Sequence, residues 1–288
     1  MNETQAIIRA FDEAQGQNCA LATVVSVAGS AYRRPGARML VLASGASIGT
    51  ISAGCLENDV IAHAQRVIET GAAKLVEYDT SSTNDEMAWG LGLGCNGVVR
   101  VLVEPLTSPS SSIYLAALRR SLAALSTAAI ATVFHHTSQR ASVAIGSRCI
   151  VDEDGRSICD IDDAELIVLI ERDAHQAQME GVSSEHLYET ESGVTKVFIE
   201  AKVPPVPLVV FGAGIDAMPV VELASSLGFR IEVVDPQMRA ASCERFAQAD
   251  KVTLAQLRMV AERVSITSRT LTLLMTHNLR PISGKKLK

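Results

Sequence analysis

Residues 208–236, LVVFGAGIDAMPVVELASSLGFRIEVVDP, constrain the fold more than any other stretch of the chain. An apolar run leads into Gly212-x-Gly214-x-x-Ala217. A helical pattern then ends at Gly228, and a second apolar run is closed by Asp235, 21 residues past Gly214. This is a Rossmann-type βαβ unit in its full context. Gly212 serves the tight turn, Gly214 lets the backbone approach a pyrophosphate, Ala217 allows helix and strand to pack closely, and Asp235 is placed for ribose hydroxyls.

Two breaks divide the 288 residues, TSPSSS at 107–112 and VPPVP at 203–207, giving segments 1–106, 107–203 and 204–288. Segment 1–106 predicts strand (ALATVVSV), an arginine-rich turn (AGSAYRRPGA), strand (RMLVLA), strand (SIGTI) and a helix from Leu56 to Thr70 stopped by Gly71. Strand KLVEYDT, a long loop at 81–96 and strand VVRVLVEPL complete it.

Segment 107–203 repeats this order. Leu21–Val24 answers Ile130–Val133 at an offset of 109, Tyr78–Thr80 answers Tyr188–Thr190 at 110, and Val101–Glu104 answers Val197–Glu200 at 96. The drop of 14 falls where loop 81–96 has almost no counterpart. Chance similarity of two strand-rich segments is the rival explanation. Where copy one has Ser52-Ala53-Gly54-Cys55, copy two has Asp160–Asp163, so the copies diverge mainly where copy one gains glycine and cysteine.

The expected fold class is therefore α/β: an N-terminal mixed α+β region with an internal duplication, followed by a Rossmann-type parallel βαβ domain. From Val206 only 83 residues remain, with strands LVVFG, RIEVVD, TLTLLMT and a short one near 251–253, against about six in a full doubly wound sheet. The domain is expected to be shortened, its open edge and face covered by a partner, most simply in a homodimer.

A net charge of −6 and 4% aromatic residues are opposite to what a phosphate backbone or a base-stacking surface requires, so no nucleic-acid partner is expected. No apolar run approaches the ~20 residues of a membrane span. The N-terminus lacks the pattern of a signal peptide, which predicts a cytoplasmic protein. Six cysteines without a C-x-x-C pair predict free thiols.

Two of those thiols stand apart. Cys55 lies at a strand-to-helix turn, where unpaired N–H groups and the helix dipole favour negative charge. Cys95 lies in Gly90-Leu-Gly-Leu-Gly94-Cys95-Asn-Gly97, four glycines in eight residues, a backbone that can approach a ligand closely. Both are expected in one pocket. Arg33, Arg34 and Arg38 cluster in the first turn of an otherwise acidic chain and suit an anionic group, with a solvated hairpin tip as the alternative reading.

GSAYRRPGARMLV, GTISAGCLENDV, GLGLGCNGVVRVLVEPL, the 208–236 stretch and MTHN together resemble the XdhC/CoxI family, accessory proteins for maturing molybdenum hydroxylases such as xanthine dehydrogenase and carbon monoxide dehydrogenase. The resemblance covers the first and third segments. It implies that the chain binds molybdenum cofactor (molybdopterin) during its sulfuration, with a cofactor sulfurase as partner, and delivers it to the apo-hydroxylase without being a hydroxylase itself. Carried over, Gly54, Cys55, Glu57, Gly94, Cys95 and Gly97 match the family's cysteine motifs and Arg34 and Arg38 its basic turn; Cys55 and Cys95 are expected either as molybdenum ligands or as residues that shape the pocket. Ala53 stands where many relatives have glycine, and the chain ends soon after MTHN. The alternative is an NAD(P)-dependent oxidoreductase using Gly212, Gly214, Ala217 and Asp235.

Overall fold

The computed structural model describes residues 3–14, 16–79, 97–107, 109–123, 127–137, 143–237 and 241–276. It divides into two compact units, Asn2–Pro204 and Pro205–Lys288.

The first unit opens with helix α1 (Glu3–Glu13) and strands β1 (Cys19–Gly29), β2 (Arg38–Leu42) and β3 (Ser47–Gly49). Helix α2 (Glu57–Thr70), β4 (Lys74–Asp79) and β5 (Gly97–Pro105) follow, and the sheet order is β3-β2-β1-β5-β4. After helix α3 (Pro109–Ala123) the same plan returns as β6 (Ala128–His136), β7 (Arg148–Val151), β8 (Ser157–Cys159), α4 (Ala164–Glu180), β9 (Ser184–Thr190) and β10 (Gly193–Lys202), ordered β8-β7-β6-β10-β9. All pairings in both sheets are antiparallel.

The two halves share one strand connectivity, as the repeat predicts, and finer detail agrees. Leu21 faces Leu40 as Ile130 faces Ile150. The bulge that passes over Val25 in β1 recurs at Phe134 in β6. Both helices end on a left-handed glycine, Gly71 and Gly181.

The strands read as continuous apolar runs because both of their faces are covered. Alternation sends Ala20, Ala22 and Val24 toward α2 and its Val60, Ala64 and Val67. Leu21 and Leu40 point the other way, into a cluster with Ile130 and Ile150 of the second sheet, Ile7 of α1, and Tyr114 and Leu118 of α3. Val25 and Leu102 likewise meet Phe134 and Phe198. The two sheets therefore pack face to face with α2 and α4 on their outer faces.

Two expectations are corrected. The stretch 107–112 is not simply a break, since α3 begins at Pro109 and Ser111 bonds back to the Pro105 carbonyl at 2.7 Å. Proline and serine mark a helix start as readily as a linker. Nor are all thiols free: Cys149 and Cys159 form a disulfide. The β7–β8 register sets them directly opposite one another, with Cα atoms 4.0 Å apart, although ten residues separate them in sequence.

The second unit is a parallel sheet ordered β13-β12-β11-β14, built from β11 (Pro207–Phe211), α5 (Ala217–Ser226), β12 (Arg230–Asp235), α6 (Ala241–Arg245), β13 (Lys251–Leu254), α7 (Val260–Arg263) and β14 (Leu271–Leu274). The strand order reverses beside β11, the usual position of a ligand crevice in such sheets. Among the described residues no helix is long and apolar enough to cross a membrane.

Candidate functional site

The start of α2 is held by a carboxylate rather than by an ordinary cap. Leu56 occupies the N-cap position and offers no side-chain bond. Instead Ser52 Oγ accepts from the N–H groups of Cys55 and Leu56 at 3.1 and 3.0 Å, and itself donates to Glu57. Glu57 Oε1 also accepts from the Ser52 N–H at 2.9 Å and lies 2.6 Å from Thr50 Oγ1. Burial alone would raise the Glu57 carboxyl, but the hydroxyls of Ser52 and Thr50 and the Ser52 N–H outweigh it and hold it at about 2.

This network reaches the basic turn through α1. The Thr50 N–H donates to Glu3 at 3.0 Å, and Glu3 is also paired with Arg33. Ala31 of that turn and Cys55 pack on the same hydrophobic cluster. Gly97 lies against the turn as well, since a Cβ there would come 2.5 Å from the Ala28 carbonyl oxygen and within 2.9 Å of Ser30 backbone atoms. Arg33, Gly97, Cys55 and Glu57 thus belong to one end of the first sheet. Gly54, at φ +101°, has nothing within 4 Å of its Cβ position among the described residues, so none of these covers the backbone beside Cys55. Cys55 itself is half-buried.

Other expected residues fall elsewhere. Arg34 is exposed in the turn. Arg38 is buried, its guanidinium engaged by Glu200, the Gly36 carbonyl and Tyr114. Gly94 and Cys95 lie outside the described residues, and the expected approach of Cys95 to Cys55 with them. Sequence reasoning missed Thr50 and Ser52 as ligands of Glu57. Their signal was present as Ser52-x-x-x-x-Glu57, a hydroxyl and an acid flanking a glycine turn.

The second copy gives the contrast. The strand registers and helix ends put copy two at offset 110, not at the 108 that pairs Asp160–Asp163 with Ser52–Cys55. Asp163-Ala164-Glu165-Leu166 therefore answers Ala53-Gly54-Cys55-Leu56, and there Asp163 caps α4 by accepting from the Leu166 N–H at 3.0 Å. Helix α4 therefore begins one turn earlier than α2. Copy one has opened that first turn, and Cys55 sits in the opening.

In the second unit Gly212 has φ +121°, and a Cβ on it would stand 2.4 Å from the Met275 carbonyl oxygen. Ala217 begins α5 fully buried. Asp235 is buried at the end of β12 and accepts from the Gln237 N–H at 2.9 Å. Asp216, just before α5, places a carboxylate oxygen 2.2 Å from a Cβ position on Gly214, so an acid lies against the glycine turn.

Comparison with known proteins gives matches to two family models. The XdhC and CoxI family matches residues 13–79, and the XdhC Rossmann domain matches residues 208–281. A probable xanthine dehydrogenase subunit of Bacillus subtilis (strain 168) is 30% identical over 247 residues, 83% of this chain and 66% of that protein. The crystal structure of a xanthine dehydrogenase from Bacillus halodurans is similar with a TM-score of 0.72 and 26% identity, over 96% of this chain and 75% of that one.

Proposed function

Because the chain belongs to the XdhC and CoxI family, we propose that it is an accessory factor for a molybdenum hydroxylase of the xanthine dehydrogenase type, binding molybdenum cofactor and passing it to the apo-enzyme. The observation that carries this is the opened first turn of α2, present in copy one and closed by Asp163 in copy two. Among the described residues nothing covers the backbone beside Gly54, and together with the half-buried Cys55 thiol and the positive end of the α2 dipole it suits a ligand combining metal, dithiolene and phosphate. Cys55 would face the metal, Arg34 would meet the anionic end, and Glu57 would fix the turn. The cofactor, when bound, supplies the redox chemistry of the hydroxylase. This chain's residues hold it and shield it until transfer. A cofactor sulfurase and the apo-hydroxylase are the partners that such a role requires, and the cytoplasm its setting.

The test is pterin content. Protein co-expressed with an active molybdopterin pathway should release a fluorescent pterin on acid oxidation, and Cys55→Ala should lose most of it while keeping its unfolding midpoint. Unchanged content in Cys55→Ala would remove Cys55 from the site.

The glycine turn of the second unit favours a second reading, an NAD(P)-dependent oxidoreductase. Asp216 weighs against it, because a carboxylate at the helix N-terminus repels the pyrophosphate that the turn would otherwise attract. Tight dinucleotide binding with turnover would reverse that ranking.

A further inference from the structure

Beyond cofactor delivery, we propose that Cys149, Cys159 and Glu171 form a redox-gated site for a thiophilic divalent cation, with Zn²⁺ the fitting ion. One sulfur from each cysteine and a carboxylate oxygen of Glu171 all lie within 4.8 Å of one another, and Cys159 Sγ is 3.9 Å from Glu171 Oε1. Cys149 is fully buried in β7, whereas Cys159 and Glu171 are half-buried. Water can therefore complete a tetrahedral set of two sulfurs and one oxygen, the arrangement of an open zinc site. Two thiolates select a soft or borderline ion over Mg²⁺ or Ca²⁺.

The duplication supplies an internal control. Cys149, Cys159 and Glu171 correspond at offset 110 to Met39, Gly49 and Ile61, and Met39 faces Gly49 in the same register as Cys149 faces Cys159. Neighbouring positions keep their character, Leu40 and Ile48 answering Ile150 and Ile158. Copy two has thus placed two thiols and a carboxylate at positions where copy one has a thioether, a glycine and an isoleucine, all on one patch of sheet and helix.

The disulfide is the closed form, since both sulfurs bond each other and neither is available as thiolate. An external dithiol opens it. The disulfide takes two electrons and two protons and becomes two thiols, while the dithiol closes to its own disulfide. The cation then displaces the two thiol protons to solvent. Metal occupancy in this unit follows the thiol redox poise around it.

The full chain, reduced with dithiothreitol and desalted without oxygen, would be titrated with Zn²⁺ against a chromogenic chelator, with metal content measured by mass spectrometry. We expect one Zn²⁺ at this site per reduced chain, retained in Cys55→Ser, absent in Cys159→Ser and released when the disulfide is reformed with an oxidant of thiols. Glu171→Gln, which leaves both sulfurs in place, should weaken binding at least about tenfold, the lower bound for loss of even an outer partner of a metal ligand. Zinc retained undiminished in Cys159→Ser, or a wild-type chain with all thiols titrated as reduced that holds no zinc, would overturn the proposal. Should Cys159→Ser fail to fold, oxidation and re-reduction of the wild type decide the matter alone.

Discussion

Arg38 and Glu200, 162 residues apart, form an ion pair inside the first unit, with Arg38 Nη1 3.1 Å from Glu200 Oε1. Its counterpart runs in the opposite sense, from Arg148 of copy two to Glu104 of copy one. Each arginine also donates to the carbonyl of a glycine two residues earlier, Gly36 at 2.6 Å and Gly146 at 2.9 Å. Tyr114 on the connecting helix has no duplicate and serves the two sides differently. Its hydroxyl accepts from Arg38 Nε at 2.5 Å, and Arg148 lies 4.1 Å from its ring centroid. Arg148 Nε is consequently left without a hydrogen-bond partner among the described residues.

Removing one acid from such a buried pair leaves an uncompensated charge. Glu200→Ala should cost about 3 to 5 kcal/mol, and Glu104→Ala a similar amount. Because both pairs adjoin Tyr114, the double variant should depart from additivity by at least ~0.5 kcal/mol. Denaturant unfolding measures all three. A loss below about 1 kcal/mol for either single variant would mean that water reaches the pair.

Acid should unfold this unit in a defined window. Glu57 is held at about 2, against 4.5 when free. Burial would raise Glu200 too, but Arg38 and then Lys202 bring it below its usual value. Between 4.5 and those lower values the unfolded chain binds protons that the folded chain does not. Stability is thus complete above 4.5 and lost as pH falls toward 2. Unfolding midpoints measured from pH 6 downward should decline in that range, and Glu57→Gln should flatten part of the decline.

Thiol chemistry should separate the cysteines. Burial pushes the Cys19 thiol up to about 11, and only 1% of the residue is exposed. At pH 8 an alkylating reagent should label Cys243, which is exposed, and more slowly Cys55, leaving Cys19 untouched until the protein unfolds. Peptide mapping after timed quenching reads this directly. Labelling of Cys19 as fast as Cys243 would contradict the burial of β1.

Much of the fold was legible because apolar periodicity and turn residues are local. The βαβ unit at 208–236 declared itself through glycine spacing, and the repeat through ordered offsets. What stayed hidden depends on how two sheets meet. Arg38 reads as part of a basic turn suited to an anionic group. It is buried because the facing sheet supplies Glu200, a residue visible in sequence only as the last letter of a repeated strand. The Cys149–Cys159 bond is similar, since nothing in a spacing of ten reveals that a tight hairpin sets both on one face. Glu57 was legible as a motif residue, but not as the acceptor that organises Ser52 and Thr50.

The opened turn of α2 permits a test by exchange between copies. Ala53→Asp with Gly54→Ala would convert the start of α2 to the sequence Asp-Ala-Cys-Leu, matching Asp163-Ala164-Glu165-Leu166 of copy two. Alanine disfavours the left-handed φ of +101° at position 54, and the new aspartate can cap as Asp163 does. Helix α2 should then gain its missing first turn. The new cap should add about 1 kcal/mol, and loss of glycine freedom in the unfolded chain a further ~0.4 to 1 kcal/mol. Slowed hydrogen exchange at the Glu57 N–H, the counterpart of the Ile167 N–H that donates to the Asp163 carbonyl, would report the added turn. If the opening is the cofactor's seat, pterin retention should fall at least about tenfold in a protein that is more stable than the parent, the two effects moving in opposite directions. Retention at the parent's level, with the turn shown to be helical, would place the cofactor away from Cys55.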